Sequence, residues 1–259
     1  MHRVEAGHAV HFVEGKPRLK NLATSAMIEV PEYKIQPGDV PGFGSGWIAD
    51  AFWTNNSGNP VRSFRTSWSV PPAPTTNSGQ TIFLFNGIDP ADPSQAILQP
   101  VLQWGPSHAG GGPFWTVASW YVLGNGQAFF TTPVPVNPGD VLVGAMTLTG
   151  QSNGLFSYQS EFQGIAGTEL PVQNVAELVW CNETLEAYSI TACSDYPATD
   201  VTVKASGSLV AKVRSRPCAS TSTSSCPSAR GWQATALPVA IATNKLLRQS
   251  AKSATFVWR

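Results

Sequence analysis

Short apolar runs, each closed by a proline, glycine or asparagine turn, recur along most of this chain. Trp47–Trp53 is closed by Asn55-Asn56-Ser57-Gly58-Asn59-Pro60. Val61–Val70 alternates, with Phe64, Trp68 and Val70 on one side, the mark of a half-buried strand. Pro71-Pro72-Ala73-Pro74 stops it, because proline cannot donate to a ladder. Thr81–Phe85 and Gln95–Gln103 flank a turn-rich loop. Phe114–Leu123 carries bulk on both faces, as a central strand covered on two sides would. Gly124-Asn125-Gly126 then turns the chain back into Gln127–Thr132. Pro138-Gly139-Asp140 leads into Val141–Thr149, and Leu155–Phe162, Val172–Cys181, Thr199–Ala205, Ser208–Val213 and Ala254–Trp258 complete the series. Ten or more short strands between such turns predict an all-β chain folded as an antiparallel β-sandwich. Ala234–Leu247 has helical propensity, but Pro238 restricts any helix to the part after it.

Charge divides the chain. Glu5, Glu14, Lys16, Arg18, Lys20, Glu29, Glu32, Lys34 and Asp39 cluster in the first 40 residues, which read as a peripheral segment. The division places an N-terminal arm or propeptide-like segment at 1–45 and the β-sandwich domain at 46–259. Charged residues make up only 12% of the 259-residue chain and the formal net charge is zero, so nothing draws it to nucleic acid or an anionic membrane. No run of 18 apolar residues would span a bilayer, and the N-terminus lacks a signal-peptide core. The sequons at Asn55 and Asn182 and four cysteines fit secretion. Cys181 with Cys193 and Cys218 with Cys226 are the local pairings, among three possible connectivities. The four histidines have no ligand spacing to the cysteines, so no zinc site is expected. Asp89 and Asp92 beside prolines read as a turn more readily than as a calcium site.

Two polar residues in apolar strands carry the chemical argument. Strand periodicity places Ile97, Gln99, Val101 and Gln103 on one face, with Gln99 and Gln103 about 13 Å apart. Each is either part of a solvated face or an amide aimed into a groove. Glu177 sits among Val175, Val179 and Leu178, where partial burial raises a carboxyl toward the range useful for proton transfer. The plainer reading is a sheet-edge charge. Glu161, alternating with Gln159, is a candidate for the same groove. The surplus of tryptophan, Trp120 included, supplies surfaces able to stack on sugar rings, although core packing is its commoner use. No serine sits in a nucleophile elbow, and Gly110-Gly111-Gly112 lacks the lysine of a phosphate loop.

In order along the chain, Gly46-Trp47-Ile48-Ala49, Phe64–Pro71, Gly87-Ile88-Asp89 followed by Ala96-Ile97-Leu98-Gln99, Trp120-Tyr121, Pro138-Gly139-Asp140, Asn174–Val179 and Thr255–Trp258 resemble segments of the glutamic peptidases, or eqolisins, a mostly fungal family of acid endopeptidases. The resemblance spans roughly residues 45–259. It implies a concanavalin A-like jelly roll of two curved antiparallel sheets. It also implies hydrolysis of a polypeptide substrate at acid pH, without metal, cofactor or covalent intermediate, by a secreted monomer. Glu177 would be the general base, Gln99 would orient water and stabilise the oxyanion, and Asp89, Trp120, Gln103 and Glu161 would contact substrate. The chain departs from the family at Ala118 and Val122, where acids are usual, and at Phe85 and Leu178, where tryptophans are. The alternative expectation is a non-peptidase sandwich that binds glycans or another extended ligand, or altered chemistry in the same groove.

Overall fold

A computed structural model describes residues 1–31, 46–199, 201–205, 210–213, 233–234 and 254–257. Two sheets stack as a β-sandwich. The first runs His2–Arg3, Ala128–Phe130, Gly110–Leu123, Ala96–Ser107, Thr81–Pro90, Leu178–Tyr188 and Trp47–Thr54, with Val134–Pro135 also paired to Gly110–Leu123. The second runs Gln233–Ala234, Ala254–Val257, Val210–Val213, Val201–Ala205, Ser63–Ser69, Val141–Ser152, Leu155–Phe162, Leu170–Val175, His8–Val13, Lys16–Asn21 and Met27–Glu29. The expected all-β sandwich is present, and most of its strand pairs are antiparallel. His2–Arg3, His8–Val13 and Ala254–Val257 each pair in parallel with a neighbour, so both sheets are mixed.

Two of those parallel strands come from the N-terminus. Residues 1–31, expected at the margin, enter both sheets, and Val4, Ala9 and Val10 lie in the core at 0–4% exposure. The turns behave as their residues dictate. Gly126 takes a φ of 79° in the hairpin after Leu123, and the Asn125 side chain accepts from the Gln127 N–H at 3.0 Å. Gly139 takes a φ of 92° in the Pro138-Gly139-Asp140 turn. The region of the expected helix after Pro238 lies outside the described residues. Cys181 is a buried free thiol, so the Cys181–Cys193 bridge does not form. Among the described residues no helix is long and apolar enough to cross a membrane.

The space between the sheets is not uniformly apolar. Trp68, Ile82, Leu84, Leu102, Trp104, Trp115, Val117 and Leu185 form one cluster. Phe64, Ile88, Leu98, Tyr121, Met146, Phe156 and Tyr158 form another. Between them runs a polar belt. Asn86 is paired with Glu183 and Pro100 with Ser119 on the inner side of the first sheet. The belt bridges to the second sheet. Asn86 Nδ2 donates to the Gly144 carbonyl at 3.2 Å, Ser160 Oγ to Ser119 Oγ at 3.0 Å, and Thr66 Oγ1 to the Glu183 carboxyl. Burial pushes that carboxyl well above its ordinary range, and the Thr66 bond opposes this only in part.

Candidate functional site

Because side chains alternate along a strand, the inner set above fixes the outer one. On the outer face of the first sheet stand Phe85, Gly87 and Asp89. Beside them are Ile97, Gln99, Val101 and Gln103, then Ala118 and Trp120, and on the other side Trp180, Asn182, Thr184 and Glu186. Of the candidates from sequence, Gln99, Gln103, Asp89 and Trp120 therefore share one face. Their exposures are 9%, 3%, 0% and 6%, so the middle of this face is close-packed.

Glu177 and Glu161 are placed elsewhere. The single strand expected over Val172–Cys181 is two strands in different sheets: Leu170–Val175 belongs to the second and Leu178–Tyr188 to the first. Ala176 and Glu177 form the link between them. Leu178 pairs with Pro90, and its N–H donates to Tyr158 Oη at 3.1 Å. That puts Glu177 about 13 Å along the strand axis from the Gln99 row and two strands away. Glu161 lies on Leu155–Phe162, whose Phe156, Tyr158, Ser160 and Phe162 are buried toward the first sheet. Its side chain occupies the opposite face and accepts from Gln159 at 3.1 Å.

The residue in register with Gln99, one strand beyond Gly87, is Asn182. Phe85 pairs with Val101 and Ile88 with Leu98, a register that sets Gly87 opposite Gln99. Asn182 pairs with Gly87 from the other side. A Cβ at Gly87 would meet the Asn182 Oδ1 and Nδ2 at 2.8 and 2.9 Å, so the amide lies over the bare glycine. It is fixed at both ends. Nδ2 donates to Asp89 Oδ2 at 2.6 Å, and Oδ1 accepts from Thr184 Oγ1 at 3.1 Å. Asn182 is fully buried, which removes the sequon read there from the surface.

Asp89 keeps its other oxygen, Oδ1, buried without a partner among the described residues. Burial pushes its carboxyl well above the ordinary range, with the Asn182 bond acting the other way. Asp92, by contrast, spends its carboxylate on the turn, accepting from Ser94 and Gln95. Gln103 is a clamp: its Nε2 donates to the carbonyls of Gly105 and Gly110, both at 2.8 Å, and its Oε1 accepts from Ser107 at 3.0 Å. Trp120 stacks on Phe130 with ring centres 5.0 Å apart, its buried Nε1 unpartnered. The Gln99 amide makes no hydrogen bond among the described residues. Glu186 is raised to about 7 by burial, against the hydrogen bond it accepts from Tyr188 Oη.

Asn182, Thr184 and Glu186 escaped the sequence reading because the strand was closed at Cys181. A partial signal was present: Asn182, Thr184 and Glu186 alternate with Cys181, Leu185 and Ala187, but Glu183 interrupts the apolar side of the pattern.

No protein-family model matches the chain, and no curated protein matches it. Among solved structures it is similar to a scytalido-glutamic peptidase bound to a peptide-based transition-state analogue. The identity is 17% and the TM-score 0.37, over 60% of this chain and 78% of that one. It is similar also to SCP-B, an eqolisin-family peptidase in complex with the tripeptide Ala-Ile-His, at 16% identity and TM-score 0.33, over 60% and 77%. CG-16, a homodimeric agglutinin from chicken liver, gives 11% and 0.33, over 61% of this chain and all of that one. At these identities and TM-scores the likenesses carry no residue role and no activity to this chain.

Proposed function

We infer that the outer face of the first sheet binds an extended, uncharged polymer without hydrolysing it through a Gln99–Glu177 pair. The observation that carries this is Asn182. The group facing Gln99 across Gly87 is a second amide, held between Thr184 and Asp89. Asn182 is buried and committed to Asp89 and Thr184, which leaves the Gln99 amide to donate to and accept from carbonyl or hydroxyl groups. Neither amide exchanges protons as general acid–base catalysis requires.

A second reading, acid peptide hydrolysis of the glutamic-peptidase kind, is favoured by the free Gln99 amide, since an oxyanion donor must be unpartnered before substrate arrives. On that reading Glu177 is the base and must leave the link between the sheets to reach the Gln99 row; Asp89 is the carboxyl already on the face.

Tryptophan fluorescence of the full chain, titrated with soluble neutral polysaccharides and with an unfolded polypeptide at pH 4 and pH 7, tests the first reading. A saturable change, weakened in Gln99→Ala, is expected. Polypeptide turnover at pH 4 that is lost in Gln99→Ala and Glu177→Gln would replace it with the second.

A further inference from the structure

At the edge of the same face the packing opens. Phe52, on the outward side of the edge strand Trp47–Thr54, is 55% exposed. Its ring lies 5.2 Å from Trp180, tilted by 31°. Trp180 is parallel to Trp47 within 6°, with ring centres 6.2 Å apart, and Trp47 meets Phe85 edge-on at 6.1 Å. Trp47 and Trp180 are both half-buried. Phe52 thus presents an accessible apolar ring backed by the half-buried Trp180 and Trp47, and such exposed apolar surface is what a binding site uses. Asp50 lies between Trp47 and Phe52 on this side, paired with Thr184, as Phe52 is with Asn182. Its half-buried carboxyl makes no hydrogen bond among the described residues.

Charge narrows the occupant. The strands Trp47–Thr54, Thr81–Pro90, Ala96–Ser107, Gly110–Leu123 and Leu178–Tyr188 contain no lysine, arginine or histidine. A phosphate, sulfate or carboxylate ligand would find no counter-charge on them and would meet Asp50 and Glu186 instead. Shape narrows it further. Phe85, Ile97, Val101 and Ala118 beside the platform are exposed by no more than 4%, so the adjoining sheet is filled and offers no recess for the projecting side chains of a peptide. The exposed Phe52 ring, standing beside one free carboxylate, suits a ring with an apolar C–H face and hydroxyl groups on its rim.

We propose that Phe52, backed by the Trp180–Trp47 stack, forms a stacking platform for a pyranose ring of a neutral saccharide, with Asp50 accepting hydrogen bonds from the ring hydroxyls. This rests on the binding reading above and adds the ligand class and the place where it docks. The aromatic rings supply contact area at small entropic cost, and the carboxylate fixes which hydroxyls face inward.

The test is calorimetric titration of the full chain with neutral oligosaccharides of gluco, manno, galacto and xylo configuration, and in parallel with uncharged peptides. Phe52→Ala and Asp50→Asn are the variants, and circular dichroism confirms that both remain folded. At least one oligosaccharide is expected to bind, about tenfold more weakly in Phe52→Ala, with Asp50→Asn altering the preference among configurations. Saccharide binding unchanged in both variants overturns the platform but leaves the binding reading standing. Peptide binding with no saccharide binding up to roughly 10 mM overturns the ligand class. Peptide cleavage in place of binding overturns the reading beneath both.

Discussion

A methyl group at Gly87 would stand 2.7 Å from Ile97 Cδ1 and closer than 3 Å to both polar atoms of the Asn182 amide. Gly87→Ala therefore has to push the amide off Asp89. A loss of about 1–3 kcal/mol is expected from overpacking and from the disturbed buried bond, read as a lower midpoint in chemical denaturation. Asp195 is a second residue on which much depends. Its carboxylate accepts from Thr76 Oγ1 and Ser78 Oγ, both at 2.5 Å, and from the Thr191 N–H and hydroxyl and the Ala192 N–H at 2.7–2.9 Å. Burial acts to raise this carboxyl, but those donors outweigh it and hold it below the usual carboxylate range. Asp195→Ala leaves several donors without an acceptor and is expected to cost about 2–4 kcal/mol. Asp195→Asn, which keeps the acceptor oxygen, should recover part of that loss.

Among the elements, Leu178–Tyr188 does most to define the site, since one side carries Asn182, Thr184 and Glu186 and the other carries Glu183 into the polar belt. Of its neighbour Thr81–Pro90 only Thr81–Phe85 was legible in sequence, since Asn86–Pro90, with its glycine, aspartate and proline, reads as a turn-rich loop; the strand with Gln99 was legible because apolar residues run through it. The break at Ala176-Glu177 was not. The run Val172–Cys181 carries β-forming apolar residues on both sides of Ala176-Glu177, and local propensity is silent about which sheet a strand joins. Only the packing of Leu178 against Tyr158 marks the crossing. The N-terminal strands were hidden for the opposite reason. Lys16–Asn21 is rich in charge and His8–Val13 lies between Glu5 and Glu14, yet His8–Val13 buries Ala9 and Val10. Deleting residues 1–31 removes partners of Leu170–Val175 and Ala128–Phe130. The shortened chain is expected to unfold at lower temperature than the full chain, as calorimetry would show.

Across the whole molecule, buried carboxyls set the response to pH. Glu183 and Asp89 are held well above their ordinary values of 4.5 and 3.8, and Glu186 is raised from 4.5 to about 7. A carboxyl raised on folding binds its proton more tightly in the folded state. Its contribution is complete below the unfolded value and disappears as pH climbs through the folded one. For Glu186 this amounts to on the order of 3 kcal/mol, lost between about pH 4.5 and 7. Asp195 acts oppositely: its contribution is complete above its unfolded value near 3.8 and is lost progressively as pH falls below it. The melting temperature is therefore expected to peak near pH 4–5 and to fall toward pH 8, and Glu186→Gln should flatten the fall around pH 7. An amide pair, Gln99 with Asn182, stands on the face where a hydrolytic pair would be needed. The most direct test is digestion of a denatured protein substrate across pH ~2–7 by the wild-type chain, Gln99→Ala and Glu177→Gln. No cleavage above background is expected in any of the three; cleavage by the wild type at acid pH that disappears in both variants would contradict a binding role for this face.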